Sequence, residues 1–150
     1  MSVLGVVVVP NGKRPQLHGA VLEGTLSSPR LSDAFHLKPT ALEPSEQAVE
    51  LAQLLSAKLA SGLTAAAIRV AGTPPVARRF KAQFSRAHCE GAVMFVLREH
   101  TGHQVGTIVP TGLAKTLGLT NDELDEIVAQ LTLEKVHSDA LLAGLTMLER

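Results

Sequence analysis

The sequence contains no tryptophan and no tyrosine, and its only cysteine is Cys89. A single cysteine excludes an internal disulfide and a cysteine-rich zinc site. With four phenylalanines as its only aromatic residues of this class, platforms on which single-stranded nucleic acid could stack are scarce. Long apolar runs are missing too. Residues 6–9 are four valines with no basic flank before them, too short for a secretory signal, and no window approaches a membrane span. The expectation is a cytoplasmic protein with no membrane partner. Net charge is also absent: 14 basic residues balance 14 acidic ones, which argues against a dedicated, strongly basic nucleic-acid binder.

What is present is enough to fold. A chain of 150 residues, 45% of them hydrophobic, can bury a real core as a single domain. The charge is segregated along it. Lys58, Arg69, Arg78, Arg79, Lys81 and Arg86 fall in a stretch without any acid, whereas the chain from Leu119 onward is mostly acidic. Such polarity makes a local anion-attracting patch without excess positive charge overall, though solvated helix faces often look the same.

Residues 3–9 are a β-branched run, the pattern of a strand covered on both faces. Turn residues Pro10-Asn11-Gly12-Lys13 and Ser27-Ser28-Pro29 separate it from two alternating stretches, residues 17–25 and 31–37. Three strands joined this closely predict an antiparallel meander, with His18 and His36 on its polar side. Residues 46–60 read as an amphipathic helix closed by Gly62, and residues 63–71 as a fourth strand. Residues 104–109 give a fifth strand, followed by a brief helix from Pro110-Thr111 through Leu117. Thr120-Asn121-Asp122-Glu123 is a capping box. It accounts for the acidic cluster at Asp122, Glu123, Asp125 and Glu126 without a metal, because a helix N-terminus favours negative charge. A terminal helix begins at His137 or Ser138, with Leu141, Leu142, Leu145 and Leu148 on its apolar side.

Between the fourth and fifth strands lies the stretch around which the chain is organised. Gly72-Thr73-Pro74-Pro75 is a turn with a good N-cap and proline in the first helical positions. Ala77, Phe80, Phe84, Ala87, Gly91 and Met94/Phe95 then recur at helical spacing and read as the inward stripe. Arg78, Arg79, Lys81 and Arg86 lie away from it, and further along Cys89, Val93, Val96 and Leu97 occupy that same outward side. A helix apolar all round is covered on more than one face, either by a second layer of the same domain or by another subunit. The outward set Cys89, Val93, Val96 and Leu97 is the candidate homodimer interface.

Strands one, four and five, connected through helices, are expected to run parallel with right-handed crossovers. Adding the meander gives a five-stranded mixed sheet of order 3-2-1-4-5 with strand 2 antiparallel, an α/β arrangement of the ribonuclease-H-like kind. Individual segments point the same way. Leu4-Gly5-Val6-Val7, Ala67-Ile68-Arg69, the stretch FKAQFSRAHCEGA from Phe80, Pro110-Thr111 with Lys115, and Asp139-Ala140-Leu141-Leu142-Ala143 stand in the order and spacing of RuvC-type Holliday-junction resolvases. The chain resembles that family over nearly its whole length.

The resemblance implies two-metal phosphodiester hydrolysis, with four carboxylates holding two magnesium ions. Matched position by position, Val7 stands for the first aspartate, Arg69 for the glutamate and Val136 for the next aspartate. Asp139 alone is retained. One carboxylate cannot hold two hard dications, so no catalytic residue and no cofactor are expected, and Arg69 and Asp139 are predicted to pair. Histidines 88, 100, 103 and 137 are the remaining transition-metal candidates, but Gly102 interrupts the helix between two of them. Three functions follow as expectations. The first is an inactive scaffold or interaction module, homodimeric. The second is a non-cleaving binder of structured or branched nucleic acid through Arg69, Arg78, Arg79, Lys81 and Arg86. The third is a nuclease with a rebuilt magnesium site.

Overall fold

The structure, a computed structural model, describes residues 1–10, 14–59, 61–70, 81–109, 111–132 and 134–150, and for residues 81–83 the helix alone. Strand β1, Ser2–Val9, is the centre of a five-stranded sheet. Strands β2, Gln16–Thr25, and β3, Ser28–Leu37, extend it on one side as an antiparallel meander. Strands β4, Leu63–Arg69, and β5, Gly106–Ile108, add to the other side in parallel. The order is β3-β2-β1-β4-β5, as the turn residues and crossovers predict.

Helices cover both sheet faces, which is why β1 shows no alternation. Helices α1, Pro44–Lys58, and α2, Lys81–Thr101, close one face. There Leu4, Val6, Val8, Leu17, Leu51, Leu55, Ile68, Cys89, Val93 and Leu97 form one core cluster. Against the other face stand α3, Leu113–Leu117, α4, Asn121–Leu131, and α5, Ser138–Leu145. Their cluster includes Val3, Val7, Ala20, Leu22, Leu124, Leu141 and Leu145. Helix α5 lies so close to β1 that a methyl group at Gly5 would sit 1.9 Å from the Ala140 carbonyl oxygen.

The capping box is formed as expected. Thr120 Oγ1 accepts from the Glu123 amide at 3.2 Å, and Glu123 Oε2 accepts from the Thr120 amide at 2.7 Å. Thr120→Ala removes one half of this exchange and is expected to lower stability by about 1 kcal/mol, readable as a fall in the denaturant midpoint.

Three local expectations change. Helix α1 ends at Lys58, with the extended Leu59 as its cap; Gly62, at φ +102°, serves the turn into β4 instead of capping the helix. The faces of α2 are the reverse of those read from its pattern. Cys89, Val93 and Leu97 are fully buried against the sheet, whereas Phe84 and Phe95 are 66% and 67% exposed. Cys89, Val93 and Leu97 are therefore unavailable as an interface, and Val96 is half-buried. Burial also pushes the Cys89 thiol pKa up, with the Glu90 charge adding to it, which leaves the thiol unreactive. The third change concerns His18, which is buried, with His36 beside it. The 72–75 turn, Ala77, Arg78, Arg79, Phe80, Pro110 and residues 11–13 lie outside the described residues, as does the side chain of Lys81.

Candidate functional site

One row of residues crosses the sheet near the C-terminal end of β1. His36 pairs with His18, His18 with Val7, Val7 with Arg69, and Arg69 with Ile108. Residues directly opposite one another across a ladder project from the same face, so this row faces α5. The sequence-predicted positions Val7, Arg69 and Asp139 are thus brought together, with Val136 at the entrance to α5.

The first turn of α5 supplies Asp139, and its Oδ1 forms an ion pair with Arg69 Nη1. Arg69 is only 25% exposed. Burial draws its pKa below the ordinary arginine value, and the nearby charge of Arg86 acts in the same direction. Arg86 is not the solvated phosphate contact that the sequence suggests. Its side chain is 19% exposed, and its buried Nε stands 3.8 Å from Glu90 Oε2. Two of the five basic residues of the candidate patch are thereby matched by acids, and Arg78, Arg79 and the side chain of Lys81 lie outside what the structure describes.

Beside the ion pair, Ile108, Val109, Leu113, Leu142 and Ala143 line a small cavity with Arg69. Its wall is apolar apart from the guanidinium, and Val7 is 2% exposed. Divalent magnesium needs a cage of oxygens. These positions offer two valines, a cation and one carboxylate already engaged, so the residues present do not fit the metal that this arrangement of strands would imply. Among the described residues no three histidine, cysteine, aspartate or glutamate side chains are grouped to hold a metal ion. Likewise, none of the described helices is long and apolar enough to cross a membrane.

The other end of the row holds a group that the sequence reading missed. The rings of His18 and His36 lie 4.5 Å apart, and His137 stands 4.7 Å from His36 and 6.3 Å from His18. His137 belongs to the short 3₁₀ turn Lys135–His137 that leads into α5. Nδ1 of His18 is 3.0 Å from the Val136 carbonyl, so it donates to that oxygen, and His137 Nε2 is 3.3 Å from Glu134 Oε2. Burial lowers the His18 pKa; the Val136 hydrogen bond opposes this, while His36, His137 and Lys38 add to it. His36 is lowered by the same desolvation and by the charges of His137 and Lys38. The first pair depends on a bulge that no sequence signal marks. The hairpin turns at Leu26-Ser27 with Thr25 opposite Ser28, a register that would set residue 18 against Phe35; the shift between Val21 and Leu22 brings His18 opposite His36 instead.

No protein-family model and no curated protein sequence matches this chain. Solved structures do. The structure of Thermus thermophilus RuvC aligns over 97% of this chain and 92% of its own, with a TM-score of 0.62 and 18% identity. RuvC of the same organism in complex with a Holliday junction substrate aligns over 97% and 91%, with a TM-score of 0.66 and 18% identity. A five-stranded sheet of order β3-β2-β1-β4-β5 between two helical layers, superimposing on those proteins nearly end to end, gives this chain the ribonuclease-H-like fold of the RuvC resolvases.

Proposed function

We propose that this chain is a non-hydrolytic interaction module on a nuclease fold, working as a pair of identical copies. The Arg69–Asp139 ion pair carries the reading: a guanidinium held by the one retained carboxylate supports a site without the metal that hydrolysis would need. Pairing is supported by the outward face of α2. Phe84 and Phe95 stand exposed there, with exposed Ala87 and Gly91 between them. Large residues flanking small ones on one face suit a two-fold contact between like helices, in which the same patch meets itself. Light scattering on the eluting protein should give twice the chain mass. The double variant Phe84→Glu/Phe95→Glu should elute as a monomer with unchanged helical signal. A monomeric wild type would remove the pairing from this proposal.

A second reading, binding of branched nucleic acid without cleavage, is favoured by the junction-bound resolvase that shares the fold. Of the basic residues in the acid-free stretch from Lys58 to Arg86, Lys58, Arg69 and Arg86 face acids brought in by the fold, so phosphate contacts in this reading fall to Arg78, Arg79 and Lys81. Mobility shifts with a four-way DNA junction are expected at low salt and should weaken steeply as salt rises. Magnesium or manganese should produce no cleavage. Hydrolysis that needs either ion and vanishes in Asp139→Asn would reinstate a nuclease.

A further inference from the structure

The histidine stack lies outside everything used above, and it sits on the segment that delivers Asp139. The 3₁₀ turn Lys135–His137 is fastened to the sheet through the His18–Val136 hydrogen bond and the ring contacts of His137 with His18 and His36. Two residues later the chain presents Asp139 to Arg69. We propose that this stack is an acid-sensitive latch: neutral rings hold the turn on the β2–β3 edge, and protonation of His18 and His36 frees it, parting Asp139 from Arg69.

The charges around the stack favour release. From β2 the facing group is His18 and from β3 it is His36; Lys38 follows just beyond the end of β3, and β1 contributes only apolar Val7. The turn itself carries Lys135 and His137, and Glu134 stands at its start. Asp33 of β3 is committed to Lys58 of α1 at 3.2 Å. Among the described residues, Glu134, 71% exposed, is thus the carboxylate facing the imidazoles and Lys38. A screened carboxylate at the rim offsets little of the repulsion between cations stacked at such distances. His137 Nδ1 is buried without a hydrogen-bond partner, so the turn holds little in reserve once the stack is charged.

The direction with pH follows from linkage. His18 and His36 have pKa values lowered from the ordinary 6.5, so the latched state binds fewer protons than the released one. Latching is complete above about pH 6.5 and is lost as pH falls through the lowered values.

Hydrogen exchange of the whole chain at pH 7.5 and 5.5, each corrected for intrinsic exchange rates, tests this. Amides 136–141 should lose protection at least about tenfold at the lower pH while those of α1 keep theirs. His36→Gln, which removes one of the two protonation sites at an exposed ring position, should make the loss of protection at amides 136–141 between the two pH values clearly smaller than in wild type. Protection independent of pH, loss spread equally over α1, or the same loss in His36→Gln would each overturn the latch. None of these readings depends on whether the chain pairs or binds nucleic acid.

Discussion

Gly5→Ala is expected to cost the fold about 3 kcal/mol or more, at the upper end of what overpacking does. An added methyl at residue 5 would lie 1.9 Å from the Ala140 carbonyl oxygen, 2.3 Å from the Gly144 amide nitrogen and 2.8 Å from its Cα. All three are backbone atoms of α5, so no rotamer change relieves the clash, and the helix must lift. Lifting it disturbs Ala140, Leu141 and Leu145, each fully buried. A methyl on Gly144 would itself come within 2.9 Å of Leu22, so the helix has no room to slide sideways either. For a chain of this size the loss corresponds to a melting temperature lower by roughly 10 °C. Gly91→Ala supplies the contrast. Among the described residues nothing lies within 4 Å of its added methyl, and replacing a mid-helix glycine should stabilise the single, unpaired chain by about 0.5–1 kcal/mol. Calorimetry on both variants decides the matter, and a Gly5→Ala protein melting with the wild type would mean that α5 is not seated as described.

That glycine shows what the sequence made legible. Leu4-Gly5-Val6-Val7 resembles the opening strand of the resolvases in its packing residues and departs from it at the position that would bind metal. Topology was readable for the same reason: turn residues, β-branched runs and crossover lengths are local and needed no partner to interpret. The orientation of α2 was not readable, because it is apolar on two sides and the bulkier residues were assigned inward. The sheet instead receives Cys89, Val93 and Leu97, one turn apart, and the phenylalanines are left outside. His36 is exposed as expected, whereas His18 departs from the reading for a related reason. In β2, residues 17, 19 and 21 alternate with 18, 20 and 22, and alternation implies a polar face only where one face is wet. With helices on both sides, His18 had no solvent side to occupy. The Arg69–Asp139 pair, by contrast, followed from two positions that the resemblance placed together and from their opposite charges.

The same pair leads to the second large expected effect. Val7→Asp/Arg69→Glu should make thermal stability depend on manganese, which wild-type stability should not. Val7 and Arg69 are adjacent partners in the β1–β4 ladder, and Asp139 already reaches the second of them. With Asp139 retained, the double variant presents three carboxylates at one end of the sheet. Without metal they repel one another, and one replaces a side chain that is 2% exposed, so the metal-free variant should melt well below wild type. Manganese, which takes oxygen ligands, would bind the folded variant and not the unfolded one. At about a hundred times its dissociation constant it should return about 2.7 kcal/mol, a rise of roughly 5–10 °C. In the wild type the guanidinium repels the ion and Asp139 is engaged, so the same addition should leave the melting temperature unchanged. An equal rise in wild type would show that Arg69 does not keep divalent ions out. No rise in the variant would show that the three positions do not converge on a common point, and the site would then be unsuited to a metal in its shape as well as in its charge.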